Sequence, residues 1–240
     1  TIRISETPAP VVKAQMASLQ MLKDWVGTQC ELVPLPLNSF GAGRDELRDK
    51  LGHSAFDSCA VASDRGARLY ADDLGLRSLA EAEYDVRGFS TYAVLTAAEM
   101  QGAIDATMRD REVVKLIVRN YYFIPLNVQL LYYVYSANGF ALNRDVLRVL
   151  DRLADPDLVV ELGVAVAAGL VREVALSTAG VGAIPAITTA CLEALTRGRV
   201  VLSNAGAFQR AALTQLALLP GPQDEVTAAI RRFLEARLRS

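Results

Sequence analysis

The sequence predicts an α/β fold that gives way to a helical bundle. Three observations predict it. Short apolar segments alternate with helical patterns up to about residue 140. From Asn143 onward strand signals largely vanish and only helical periodicity remains. Between them, the stretch from His53 to Arg77 reads as helix, tight turn, strand, acidic turn and helix, the pattern of a sheet with covering helices. The expected division is an α/β domain over 1–140 and a helical domain over 141–240.

Composition narrows the function classes. The chain has 240 residues, 52% of them hydrophobic and 22% charged, with a net charge of −2. That is enough apolar material for a substantial core, and it argues against disorder. No global basic field advertises nucleic acid, so a local patch would have to attract it. Cys30, Cys59 and Cys191 are far apart and show neither metal-ligand spacing nor a disulfide pattern, which suits a reducing, cytoplasmic compartment. The single histidine argues against a His-rich metal site and against a Ser-His-Asp triad.

The ends and the apolar runs give further expectations. The chain starts at Thr1, and Thr1 to Glu6 reads like a strand entered partway, so a fragment or a processed piece is expected. No basic region followed by an apolar run marks a signal peptide. Val174 to Leu192 lacks charge over a nearly membrane-spanning length, but its Gly, Ala, Ser, Thr and Pro185 fit a broken bundle helix better; no membrane association is expected.

Taken in order, Ile2 to Ile4 reads as a strand. Pro8 and Pro10 open a helix, because proline suits the first turn. Val12, Met16, Leu19, Leu22 and Val26 recur at helical spacing, and Gly27 is the expected stop. Glu31 to Leu35 reads as a short strand between prolines, Asn38 to Gly43 as a loop, and Arg44 to Leu51 as a polar helix. Ser54 is the expected cap of the next helix. Val86 to Phe89 is another short strand, and Ser90 or Thr91 caps a helix to Met100. Helices follow at 105–121 and 128–137, around the short apolar YFIPL segment. Five more are expected at 143–153, 157–174, 181–197, 204–218 and 224–238, with starts at Asp155-Pro156 and Ser203-Asn204.

In open α/β sheets, sites form beyond the carboxyl ends of strands. Ala67 to Ala71 is the expected strand, and Asp72 and Asp73 follow it directly. Asp73 therefore lies at a candidate site, and Asp57 on the preceding helix is placed to face it. The plainer readings are that Asp57 suits the first turn of a helix through the dipole, and that one of Asp72 and Asp73 caps the helix that follows.

Three segments carry a resemblance: AFDSCAVA, GARLYADDLGLRSLA and NYYFIPLNVQLLYYV. With them, residues 1–140 resemble PIN domains (the PilT N-terminal nuclease fold), in the version found in large bacterial proteins beside helical repeats. The family pattern is an Asp opening the penultimate helix, a strand, and then Ser/Thr-x-Asp-x-x-Leu. Asp57 matches the first acid, and Ala71-Asp72-Asp73-Leu74-Gly75-Leu76 matches the second element. The resemblance implies a PIN-like parallel sheet with flanking helices, truncated at its N-terminus, and Mg²⁺ or Mn²⁺ held by Asp57 and Asp73 with Asp72 in support. It implies Asp57 and Asp73 as catalytic residues in RNA hydrolysis. Two further family acids, on the first strand and the helix after it, have no match here; Glu6 is a poor substitute, and Ala71 replaces the usual Ser/Thr. The resemblance therefore implies a site that is incomplete as given and cleaves little.

Among the basic residues, Arg77 is the expected contact to RNA, one turn after the acidic pair; the others interleave with acids as a solvated surface. Tyr121, Tyr122, Tyr132, Tyr133 and Tyr135 suit base stacking but are more simply core and rim. Cys59 reads as core, Asp64 as part of a turn, and Gly180-Val181-Gly182 is no phosphate loop. The rival expectation is a non-catalytic module. Small-residue faces at Val164 to Gly169 and Ala179 to Ala190 would let helices approach closely, for a protein partner or a homo-oligomer.

Overall fold

A computed structural model describes residues 8–31, 33–35, 44–180 and 182–239. The strand expected at Ile2 to Ile4, the loop at Asn38 to Gly43, Glu6, and the helix start at Val181 lie outside the described residues. The chain divides into two compact units, Thr1–Gly88 and Phe89–Ser240. The change expected at residue 140 thus falls inside the second unit. The reason is packing: Val113, Ile117, Leu131 and Tyr135 share one core with residues as distant in sequence as Phe233.

The first unit opens with α1 (Ala9–Gln29), which has Pro8 at its cap and Pro10 in its first turn. The helix runs through Gly27, a position where glycine costs only about 1 kcal/mol relative to alanine. The periodic stripe is present, but Val12, Met16, Leu19, Leu22 and Val26 are all exposed. Residues 31 and 33–35 do not form the expected strand; Pro34 lacks the N–H a ladder needs. The polar helix α2 (Arg44–Leu51) is followed by α3 (His53–Asp64). Gly52, at φ +81°, makes the corner and precedes α3 directly. Ser54 is therefore inside the helix rather than its cap, and its carbonyl accepts from Ser58 Oγ at 2.7 Å.

Next come β1 (Leu69–Tyr70), α4 (Leu74–Tyr84) and β2 (Gly88–Phe89). β1 and β2 form a two-stranded parallel sheet, joined by the Leu69 N–H donating to the Arg87 carbonyl at 3.1 Å. Parallel strands need a crossover, and α4 supplies it. Cys59, Ala62, Leu69, Ala80 and Val86 make the small core beneath.

The second unit is helical: α5 (Thr91–Met100), α6 (Ala106–Val118), α7 (Val128–Ala137), α8 (Arg144–Leu150), α9 (Val160–Leu176), α10 (Ile184–Thr196), α11 (Val201–Gln215) and α12 (Pro220–Leu238). Side chains cap the first four: Ser90, Asp105, Asn127 and Asn143 each accept from a backbone N–H of the first turn. α9 and α11 start elsewhere than expected, at Val160 and Val201, because the polar residues that resemble caps are used internally. Asn204 is buried, and its Nδ2 donates to the Leu195 carbonyl at 3.0 Å. Arg199 donates to the Leu153, Asp155 and Leu158 carbonyls, fixing the corner before α9. Pro220 and Pro222 fall in the first turn of α12, where proline is tolerated.

Helix packing in this unit uses the small residues. A Cβ on Gly169 would come within 2.6 Å of Val128 Cγ2, so α7 and α9 can approach only at a glycine. Val164, Ala167 and Ala168 on α9, and Ile187, Thr188 and Ala190 on α10, are buried. The small-residue faces read as candidate dimer surfaces are thus largely spent inside the unit. The uncharged run from Val174 is broken at Leu176 and resumes in α10 at Ile184. Among the described residues, no helix is long and apolar enough to cross a membrane.

Candidate functional site

The acidic turn follows β1 directly. Asp73 caps α4: its Oδ1 accepts from the Leu76 N–H at 2.9 Å. Gly75 leaves room for this, since a Cβ there would stand 3.1 Å from Asp73 Oδ1. Asp72 is half-buried in the same turn, while Asp73 is exposed. The cap therefore falls on Asp73, the residue the sequence reserves for metal, rather than on Asp72. The bond uses only one carboxylate oxygen.

Arg77 is turned inward. Its Nη1 donates to the Ala71 carbonyl at 2.6 Å. A Cβ on Gly88 would lie 2.6 Å from Arg77 Cγ, so the stem of Arg77 passes where only glycine fits. The side chain expected to meet RNA is held against the carboxyl end of β1 and against β2. It stabilises the turn that presents Asp72 and Asp73.

Asp57 sits on α3, which packs against both β1 and α4. The structure thus puts Asp57 and the acidic pair on mutually packed elements. Its carboxylate is not open, however. Arg48 on α2 grips both oxygens, with Nε to Oδ1 at 3.2 Å and Nη2 to Oδ2 at 3.3 Å. Such a forked pair is stronger than a single-point contact, and both partners are half-buried. A cation reaching Asp57 must displace this guanidinium. Arg48 has no counterpart in the sequence reading. The available signal was a cation and an acid on consecutive helices joined at Gly52, which is a weak one.

The donor set fits a metal only in part. Among the described residues, no three His, Cys, Asp or Glu side chains gather closely enough to hold an ion. A paired-ion site of the phosphodiester-cleaving kind needs more carboxylates than this. Mg²⁺ keeps several waters and accepts one or two carboxylates, and Asp72 with the second oxygen of Asp73 suits that mode.

The other candidates are structural. Cys59 is fully buried, and burial pushes its thiol pKa up, away from a reactive thiolate. Tyr135 is fully buried in the second unit, whereas Tyr122 is exposed and lies under the Arg152 guanidinium at 4.9 Å.

No curated protein and no solved structure matches the chain. Residues 2–82 match the family model of the PIN domain associated with the TPR-GreAB-C-PIN system, and it is to this family that the first third of the chain is similar.

Proposed function

We propose that the first unit is a PIN-like, metal-dependent ribonuclease module in which the acidic turn after β1 supplies part of the metal site. The observation that carries this reading is β1 and the start of α4 within the matched residues 2–82, with Asp72 and Asp73 at the carboxyl end of β1. Asp73 and Asp72 would hold one largely hydrated Mg²⁺ or Mn²⁺ ion. Such an ion supplies charge to a phosphate and lowers the pKa of a bound water. Arg48 keeps Asp57 out of this site, and the pair leaves two half-buried charges compensated. Arg77 is a positioning residue that fixes the turn. RNA is the proposed substrate class.

The test uses Fe²⁺ in place of Mg²⁺, with ascorbate and peroxide, to cut the backbone where the ion sits. Cuts confined to the neighbourhood of residues 70–76 support the reading. Cuts elsewhere, or an unchanged pattern in Asp73→Asn, contradict it.

A second reading, a non-catalytic interaction or oligomerisation module, is favoured by α1. Met16, Leu19, Leu22 and Trp25 are each more than half exposed along it. An apolar helix face of this extent is unusual on a monomer. Light scattering decides it: a dimer that reverts to monomer in Leu19→Asp with Leu22→Asp supports the module, and a monomeric wild-type chain counts against it.

A further inference from the structure

The stripe on α1 is symmetric along the chain. Val12 and Val26 stand seven residues to either side of Leu19, and Met16 and Leu22 stand three residues to either side. All five are exposed, Met16 by 62%, Leu19 by 59% and Leu22 by 56%. Trp25 and Met21 widen the apolar face on one side and are exposed as well. Monomers rarely leave such a face in water.

The spacing of the stripe bears on what covers it. An interface between two identical chains related by a two-fold axis uses the same patch on both, so the patch must complement itself. This one does when two α1 helices lie antiparallel with their Leu19 residues at one level. Val12 then shares a level with Val26 of the second copy, and Met16 with Leu22 of the second copy. Each apolar level of the stripe meets an apolar level.

Charge selects the partner and the direction. The charged side chains of α1 are Lys13, Lys23 and Asp24. A strongly charged partner would find little to pair with here, whereas an identical helix finds matching apolar levels. Lys23 borders the stripe, four residues after Leu19 and three before Val26, the spacing that puts residues on one helix face. Parallel helices in register would bring two Lys23 ammonium groups to one level at the edge of the seam, where like charges repel. Antiparallel helices separate them by eight residues, about 12 Å along the axis. Each Lys23 then stands level with the uncharged Gln15 of the other copy.

We propose that α1 is a homodimerisation helix, which pairs antiparallel with α1 of a second copy of this chain across a two-fold axis at Leu19. The proposal rests on the interaction-module reading of α1 and adds the partner and its orientation.

The test is cysteine cross-linking of the whole chain in a Cys30→Ser background, with copper phenanthroline as oxidant, beside light scattering. Cys59 and Cys191 are buried and do not compete. Because α1 buries none of its residues, changes on it leave the cores of both units intact. A disulfide needs Cα atoms within about 7 Å of each other. Leu19→Cys should link to itself at least tenfold more than Asp24→Cys, which lies off the stripe and controls for chance collisions. Val12→Cys equilibrated with Val26→Cys should link, whereas Val12→Cys alone should not, because its two copies would lie about 21 Å apart along the axis. A dimer in which Val12→Cys links to itself, or in which neither Leu19→Cys nor the Val12→Cys and Val26→Cys mixture links, would overturn the proposal and leave an interaction module standing. A monomer at every concentration would overturn both.

Discussion

The two units bury their residues very differently. The second encloses one continuous core in which Leu131, Tyr135, Val149, Leu170, Leu195 and Phe208 are almost entirely inaccessible. The first assembles Cys59, Ala62, Leu69, Ala80 and Val86 around a two-stranded sheet, and its α1 buries nothing. Hydrophobic stabilisation scales with apolar area removed from water. The lesson is that stability is concentrated in the unit without the acidic turn. The candidate chemistry rests on a few polar contacts: Arg48 on Asp57, Asp73 on the α4 start, and Arg77 on Ala71.

The largest expected effect is in the large core. Leu170→Ala should cost about 3 kcal/mol in urea unfolding, as buried leucine truncations typically do. A loss under about 1 kcal/mol would mean that the helices around Leu170 pack loosely, and the contrast between the units would weaken. Asn204→Ala should cost about 1–2 kcal/mol in the same assay, since it leaves a buried carbonyl of α10 without its donor.

The acidic turn gives an intermediate effect that separates two roles of one side chain. Asp73→Ala removes the α4 cap and should cost about 1 kcal/mol. Asp73→Asn keeps a cap of similar quality, so its unfolding midpoint should stay near wild type while the charge is lost. If both variants lose the same stability, the carboxylate is held by something other than the Leu76 N–H.

The last effect appears only at alkaline pH. Burial pushes the Cys191 thiol up to about 12 from an ordinary value of 9.0. Between these values the unfolded chain has released the proton and the folded chain keeps it. Stability is therefore fully present below about pH 9 and falls as pH rises toward 12. Tyr135, raised first by burial and then by Cys191, acts in the same sense at higher pH. The decline should be shallower in Cys191→Ala; an identical pH profile would place the cysteine outside the linkage.

Much of the second unit is legible in the sequence. The helix at Val128–Ala137 has both of its ends written in polar residues: Asn127 caps it, and Asn138-Gly139 stops it. Ser90, Asp105 and Asn143 work the same way. The failures have physical causes. Ser203-Asn204 resembles a helix start, but Asn204 makes a tertiary hydrogen bond that no local pattern encodes. The sequence marks the stripe on α1 but does not say that the rest of the chain leaves it exposed. At the site, the β1 end and its acidic pair follow from strand and turn chemistry, and the family model matches residues 2–82 rather than all of 1–140. The Arg48–Asp57 pair does not follow, because it depends on how two helices meet at Gly52. The positive φ of Phe123 is equally silent in the sequence, since nothing local demands it there.

The central claim is that the turn after β1 is a metal site. Calorimetric titration of Mn²⁺ into the full chain, beside Asp73→Asn, tests it most directly, because the variant keeps the cap and removes only the ligand charge. The account predicts weak binding of one ion to the wild-type chain and none to the variant. Equal heats in both, or no binding in either, would contradict it.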